Sequence, residues 1–67
     1  MLYKIEMLRL EASGKSAVLR TITDVSVNIQ TCRRRAEKIY ATEKPRGANA
    51  FRIRNASNKI VYAWQAR

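Results

Sequence analysis

From Thr23 to Glu43 the chain reads TDVSVNIQTCRRRAEKIYATE, and one side of that stretch is apolar at helical spacing. At the roughly 100° per residue of an α-helix, Val25, Ile29, Cys32, Ala36, Ile39 and Tyr40 fall within about 100° of arc, the width of a core-facing stripe. Arg34 and Lys38 fall opposite, with Arg33 and Glu37 on one flank and Arg35 on the other. A helix over about residues 24–43 follows. Its side-chain cap is expected from Thr23 or Asp24, whose oxygen would accept from a free N–H of the first turn. Pro45 ends it, because proline disfavours helical geometry at Lys44. A rival pattern runs through the same residues. Val25, Val27 and Ile29 alternate and are β-branched, so DVSVNIQ also reads as strand, with Thr31 capping a shorter helix. The longer helix accounts for more of the apolar positions.

The flanks give that stripe something to cover. Tyr3, Ile5 and Met7 alternate with Lys4 and Glu6, the period of a strand, and Leu8 and Leu10 then fall on the other face. A β-bulge or twist near Met7 would absorb the slip. Ala12-Ser13-Gly14-Lys15 reads as a turn, and Ala17–Thr23 (AVLRTIT) as a second strand rich in β-branched residues. Beyond the basic loop Lys44–Ala48, Phe51–Asn55 and Lys59–Gln65 form a second hairpin around Asn55-Ala56-Ser57-Asn58. Asn58 is suited to the left-handed conformation usually given to glycine. The expected fold is α+β, a single domain over residues 1–67: ββαββ, with a four-stranded, mainly antiparallel sheet and the helix on one face.

Phe51–Val61, read as apolar, x, Asn, then Asn, basic, Ile, Val, resembles the last hairpin of small uncharacterised bacterial ββαββ domains. In those, Asp stands at the position of Asn55 and Gly at that of Asn58, after a helix of about twenty residues. The resemblance implies the topology and carries no activity or site residue.

Chemistry is narrowed by what the chain lacks. It has no histidine and a single cysteine, so the usual imidazole base is missing and neither a disulfide within the chain nor a cysteine-based zinc site can be built. Gly14-Lys15-Ser16 echoes the end of a phosphate-binding loop without its upstream glycine, and fits a hairpin turn. Cys32 lies in the apolar stripe beside Arg33 and Arg35, which suits a small core residue and also the thiol of a redox sensor. The carboxylates show no catalytic pairing, since Arg33 and Glu37 are an ordinary i,i+4 helix pair. No enzymatic activity and no cofactor or metal are expected. The cysteine usage and the absence of an apolar run longer than Ile60–Trp64 point to a cytoplasmic protein that does not span a membrane.

The one compositional extreme is charge: 14 Lys and Arg against 5 Asp and Glu, a net +9. That balance favours polyanionic partners. The three arginines Arg33–Arg35 fan out by about 100° each on a helix, so they read mainly as a solvated back. The last hairpin offers more. A three-residue loop with Asn58 as the bulge pairs Ile53 with Val61 and puts Arg52, Arg54, Tyr62 and Trp64 on one open face. Rings there would stack bases while the arginines, with Lys44 and Arg46 of the loop, hold phosphates. A two-residue loop instead sends Phe51, Ile53, Ile60, Tyr62 and Trp64 to the core. The first register implies a nucleic-acid-binding module with those six residues as its site. It also leaves Ile60, Tyr62 and Trp64 as a patch that a homodimer would cover. The alternative function is therefore a self-associating or partner-binding module that uses the open sheet face or an edge strand, without nucleic acid.

Overall fold

β1 (Leu2–Leu10) and β2 (Ser16–Val25) form the first hairpin, α1 (Ile29–Glu43) follows, and β3 (Ala50–Arg54) and β4 (Ile60–Gln65) form the second, in a computed structural model that describes residues 1–66. The four strands make one antiparallel sheet in the order β2-β1-β3-β4, which brings the two N-terminal and C-terminal hairpins together through β1 and β3. The expected ββαββ architecture is present, and the strand order shows which elements lie at the rim: β2 and β4.

The centre of the sheet supplies the core. Tyr3, Ile5 and Met7 of β1 alternate onto one face, and the register sets Ile5 against Ile53 and Met7 against Phe51 of β3. With Cys32 and Ala36 of α1 these form one buried cluster, on whose margin Ile22, Ile29, Ile39, Tyr40 and Tyr62 pack. The helix crosses β1 and β3, so the small residues Cys32 and Ala36, both fully buried, let its backbone approach the sheet. Arg34 and Lys38 are exposed on its outer side, as the spacing predicts.

α1 starts at Ile29, five residues later than expected. Neither Thr23, Asp24 nor Thr31 caps it; Asn28 does, with its Oδ1 accepting from Thr31 N at 2.9 Å. Val25 belongs to β2, paired with Leu2, and is 69 % exposed. The physical reason is backbone satisfaction. Residues 23–25 complete the ladder to Leu2, Tyr3 and Lys4, and the pairing runs on as the Met1 amine donates to Ser26 O and Ser26 N to Met1 O. The strand reading of this segment holds only to Val25, since Ser26–Asn28 turn away. The helix ends at Glu43, one residue before Lys44 and Pro45.

Two irregularities set the faces. In the first hairpin Met7 pairs with Arg20 and Leu8 with Val18, which leaves Leu19 as the extra residue. The bulge near Met7 is therefore carried by β2, while β1 runs regularly against β3 from Lys4 to Leu8. In the second hairpin Asn55 N donates to Lys59 O, Asn58 N to Asn55 O, and Asn58 has φ 63°, so the three-residue loop forms as expected. Asn55 Oδ1 also accepts from Ser57 N and Lys59 N. Arg54 then pairs with Ile60, but Ile53 pairs with Tyr62 rather than Val61. Val61 is a second bulge, and it inverts every later position of β4. Tyr62 and Trp64 turn toward the helix with Phe51 and Ile53, the facing that the two-residue loop would have produced.

Asn49, just ahead of β3, ties the far end. Its Oδ1 accepts from Leu10 N at 2.7 Å and its Nδ2 donates to Leu10 O at 3.0 Å, so one side-chain amide replaces a strand partner. Its own carbonyl accepts from Ala66 N at 2.8 Å.

Ile53→Ala, at a fully buried central position, is expected to lower stability by about 2–5 kcal/mol. Val25→Ala should change it by less than about 0.5 kcal/mol, because that side chain is in solvent. Urea denaturation of both variants checks the pair, and equal losses would return Val25 to the core.

Candidate functional site

The six residues expected to form one nucleic-acid site are divided by the Val61 bulge. Arg52 and Arg54 project from β3 onto the face away from the helix, where Glu6 of the neighbouring β1 lies between them. Arg52 Nε and Arg54 Nε both donate to Glu6 Oε1, the latter at 2.9 Å, and Arg54 Nη1 reaches Asn58 O at 2.9 Å. These arginine side chains are only about one-fifth exposed, and that of Glu6 less. Burial raises the Glu6 pKa, but hydrogen bonds from Arg52 and Arg54 and their charges outweigh it and hold the group below the usual carboxylate value. Much of the donor capacity an incoming phosphate would need is thus committed to an internal pair.

Tyr62 and Trp64 lie on the other face, in an aromatic row under the edge of the helix. Trp64 stacks on Phe51 (centroids 5.6 Å apart, planes at 27°) and meets Tyr40 edge-on at 4.9 Å. Tyr62 sits 5.9 Å from Phe51, with the Arg33 guanidinium 4.8 Å above its ring. Lys44 Nζ lies 5.2 Å from the Tyr40 ring. Of the expected constellation, then, Tyr62, Trp64 and Lys44 are gathered together with Tyr40 and Arg33, while Arg46 is exposed in the loop. Tyr62 is covered by Phe51 and Arg33, and Trp64 packs on Phe51 and Tyr40 while keeping 38 % of its surface exposed, so the rings do not lie beside Arg52 and Arg54 as one platform. Neither the basic and aromatic sheet face nor the Ile60, Tyr62, Trp64 patch exists as a surface.

Asp24, expected as a cap, instead anchors a polar cluster at the start of the helix. Ser26 Oγ donates to its Oδ2, and Arg35 Nη1 donates to its Oδ1 at 2.8 Å. Burial pushes its pKa up, but hydrogen bonds from Ser26, Arg35 and Cys32 and the Arg35 charge bring it below the ordinary aspartate value. The same contact acts the other way on Cys32. Burial first, then the Asp24 carboxylate, push that thiol up to about 12. A reactive sensor thiol needs the opposite shift and access to solvent, and Cys32 is 0 % exposed. The redox reading is set aside for the core reading.

What the structure does leave open is β4. It is an outer strand of six residues, Ile60–Gln65, in which Ile60 is 51 % and Val61 40 % exposed. Ala66 N–H points inward, to Asn49 O, so the alternation of antiparallel pairing turns the backbone N–H and C=O of Ala63 and Gln65 outward. On the face away from the helix, small residues Ala50 and Ala63 leave a shallow trough of about 400 Å³ walled by Leu8, Leu10, Arg52 and Ile60. Among the described residues no group of three or more His, Cys, Asp or Glu side chains is gathered, and no helix is long and apolar enough to cross a membrane. Compared with known proteins, the chain matches no family model, no curated protein and no solved structure.

Glu6 and Asp24 also set the acid limit of the fold. Both have folded pKa values below their unfolded ones, so each stabilises the fold fully above the unfolded value, about 4, and that stabilisation is lost as pH falls through the folded pKa. Thermal midpoints are expected to fall below about pH 4, and Glu6→Gln with Asp24→Asn should lower the midpoint at pH 7 while flattening the acid limb. An acid limb as steep in the double variant as in the wild type would place the acid sensitivity elsewhere.

Proposed function

We propose that this chain is a non-catalytic interaction module whose contact element is the free edge of β4. One observation carries the reading: in a chain with 28 % charged residues, the six residues IVYAWQ of an outer strand carry none. Edge strands are ordinarily guarded by lysine, proline or an inward charge, because unpaired N–H and C=O groups template further pairing. β2, the other rim, carries Arg20 and Asp24; β4 carries no charge and no proline, and its bulge at Val61 leaves Tyr62–Gln65 in regular pairing. Strand addition at this edge would satisfy the outward groups of Ala63 and Gln65 and cover Ile60 and Val61. A synthetic peptide copying residues 59–66 serves as the probe. Titrating it should slow amide exchange at Ala63 and Gln65 and leave β2 amides unchanged. Unaltered exchange at saturating peptide would remove the reading.

A second reading, polyanion binding, has its own support. Arg34 and Lys38 on the outer side of α1, and Arg20, Lys44 and Arg46 around its C-terminal end, form no ion pair among the described residues. Arg20 Nη1 donates to the Glu43 carbonyl at 3.5 Å. In this reading Lys44 and Arg46 keep the role expected of them, and Arg52 and Arg54 lose it to Glu6. Binding of a single-stranded oligonucleotide should weaken steeply with salt, and Lys44→Ala with Arg46→Ala should weaken it more than Arg52→Ala with Arg54→Ala. Larger losses from the β3 pair would restore the sheet face; no binding near physiological salt would end the polyanion reading.

A further inference from the structure

Resting on the β4 reading, we propose that the strand added at this edge is β4 of a second copy, antiparallel, with the two-fold axis at Ala63, so that two sheets join into one of eight strands. Strand direction and the face of the sheet limit the ways β4 can pair with itself. Opposed residues must share a face, so a two-fold axis perpendicular to the sheet passes through a residue of β4. Centring on Trp64 leaves only residues 63–65 opposed. Centring on Tyr62 sets Ile60 against Trp64, which the Val61 bulge has put on opposite faces. Centring on Ala63 opposes the whole of Val61–Gln65. There the outward N–H and C=O of Ala63 bond to the same groups of its copy, and Tyr62 faces Trp64 twice, once on each side of the axis, with the bulged Val61 and Gln65 at the two ends. The edge is self-complementary because its two rings flank one small residue.

Charge selects the same occupant. Each chain carries +9, and a second copy is repelled wherever the cations lie. β4 is the rim strand without a charge, and α1 lies over β1 and β3, so the edge can be approached with the helices side by side on one face. A foreign partner of opposite charge would be read by the cations outside ion pairs, Arg34, Lys38, Lys44 and Arg46, which belong to α1 and its loop rather than to β4. Contact between like-charged copies also fixes the sign of the salt dependence: screening the repulsion strengthens the dimer, whereas salt weakens a polyanion complex.

Solution mass measured up to high micromolar protein, at low and high salt, should rise to that of a dimer, and more readily at high salt. Ala63→Pro removes an N–H that the monomer leaves outward, and Ala63→Lys places a charge on the axis. Both should be monomeric with unchanged far-UV circular dichroism. With a short thiol-to-thiol cross-linker Ala63→Cys should form a covalent dimer, since directly opposed, hydrogen-bonded residues have Cα atoms about 5.5 Å apart. Val61→Cys and Gln65→Cys alone should not, and neither should the wild type, whose Cys32 is buried. A wild type that stays monomeric at both salts overturns the second copy as occupant, while peptide protection at Ala63 and Gln65 would keep the edge reading. Monomeric Ala63→Lys with no cross-link from Ala63→Cys overturns the axis alone. A dimer that survives Ala63→Pro and Ala63→Lys overturns both.

Discussion

Sixty-seven residues hold few large apolar side chains, and much of the structure follows from turning Tyr62 and Trp64 toward the helix, where Trp64 packs on Phe51 and Tyr40 and still keeps 38 % of its surface exposed. The large side chains fully withdrawn from water are Phe51, Ile5, Met7, Ile53 and Cys32, a small core for a sheet of this width. Seating the two rings under the edge of the helix extends the apolar layer to the outermost strand. Each ring brings on the order of 150–250 Å² of surface to be covered, which outweighs the local disturbance of one bulge at Val61. The same inversion sends Ala63 and Gln65 to the far face beside Arg52. A single residue out of step thereby decides which face takes the two rings and which backbone groups of the rim strand point outward.

The far face adapts to what remains. Lys4, Glu6, Arg52 and Arg54 would be an ordinary solvated surface were it not for their register: Glu6 opposes Arg52 directly, two positions from the Lys4 and Arg54 pair. One carboxylate oxygen serves two guanidinium groups, and the pair lies partly buried. Such a cluster adds little net stability compared with apolar residues of similar size. It does fix the register of β1 against β3, because a one-residue slip would expel it from this face together with the core. Asn49 holds the other end of the same strand pair, bonding both backbone groups of Leu10. The central pairing is thus pinned at both ends by polar groups and filled between by Ile5, Met7, Phe51 and Ile53.

What was legible in the sequence was what repeats. The helix from Ile29 onward, its end before Pro45, four strands by alternation and the left-handed Asn58 all rest on signals several residues long or on a residue with a steric preference. What was not legible turns on single positions. Val25 fits a helical stripe and a strand ladder equally well, and the choice is made by Leu2, more than twenty positions away. Asn28 was readable as a cap, since asparagine just before an apolar-periodic run is among the best N-cap residues; the pull of six apolar positions hid it. The Val61 bulge had no local signal at all. Both hairpin registers considered for β4 contained part of the truth, the loop of one and the facing of the other, and only the competition for core space reconciles them.

The candidate site depended on that one bulge, so the sequence held the right residues without their grouping. Arg52, Arg54, Tyr62 and Trp64 alternate as a binding face should, yet the chain spends them in pairs, on Glu6 and on Phe51 with Tyr40. Once those side chains are engaged internally, the unsatisfied chemistry of this region is backbone: the outward N–H and C=O of β4. Backbone groups recognise another backbone by register and direction rather than by charge. A strongly basic chain would then meet partners in two ways that respond oppositely to salt, through neutral β4 for pairing and through the cations of α1 and its loop for anions. The two surfaces lie on different elements, Ile60–Gln65 for one and Arg34 to Arg46 for the other, so the two proposed uses would not exclude each other. Neutralising the helix side with an anion would lower the repulsion between copies and favour the β4 pairing, which couples the two uses through charge alone.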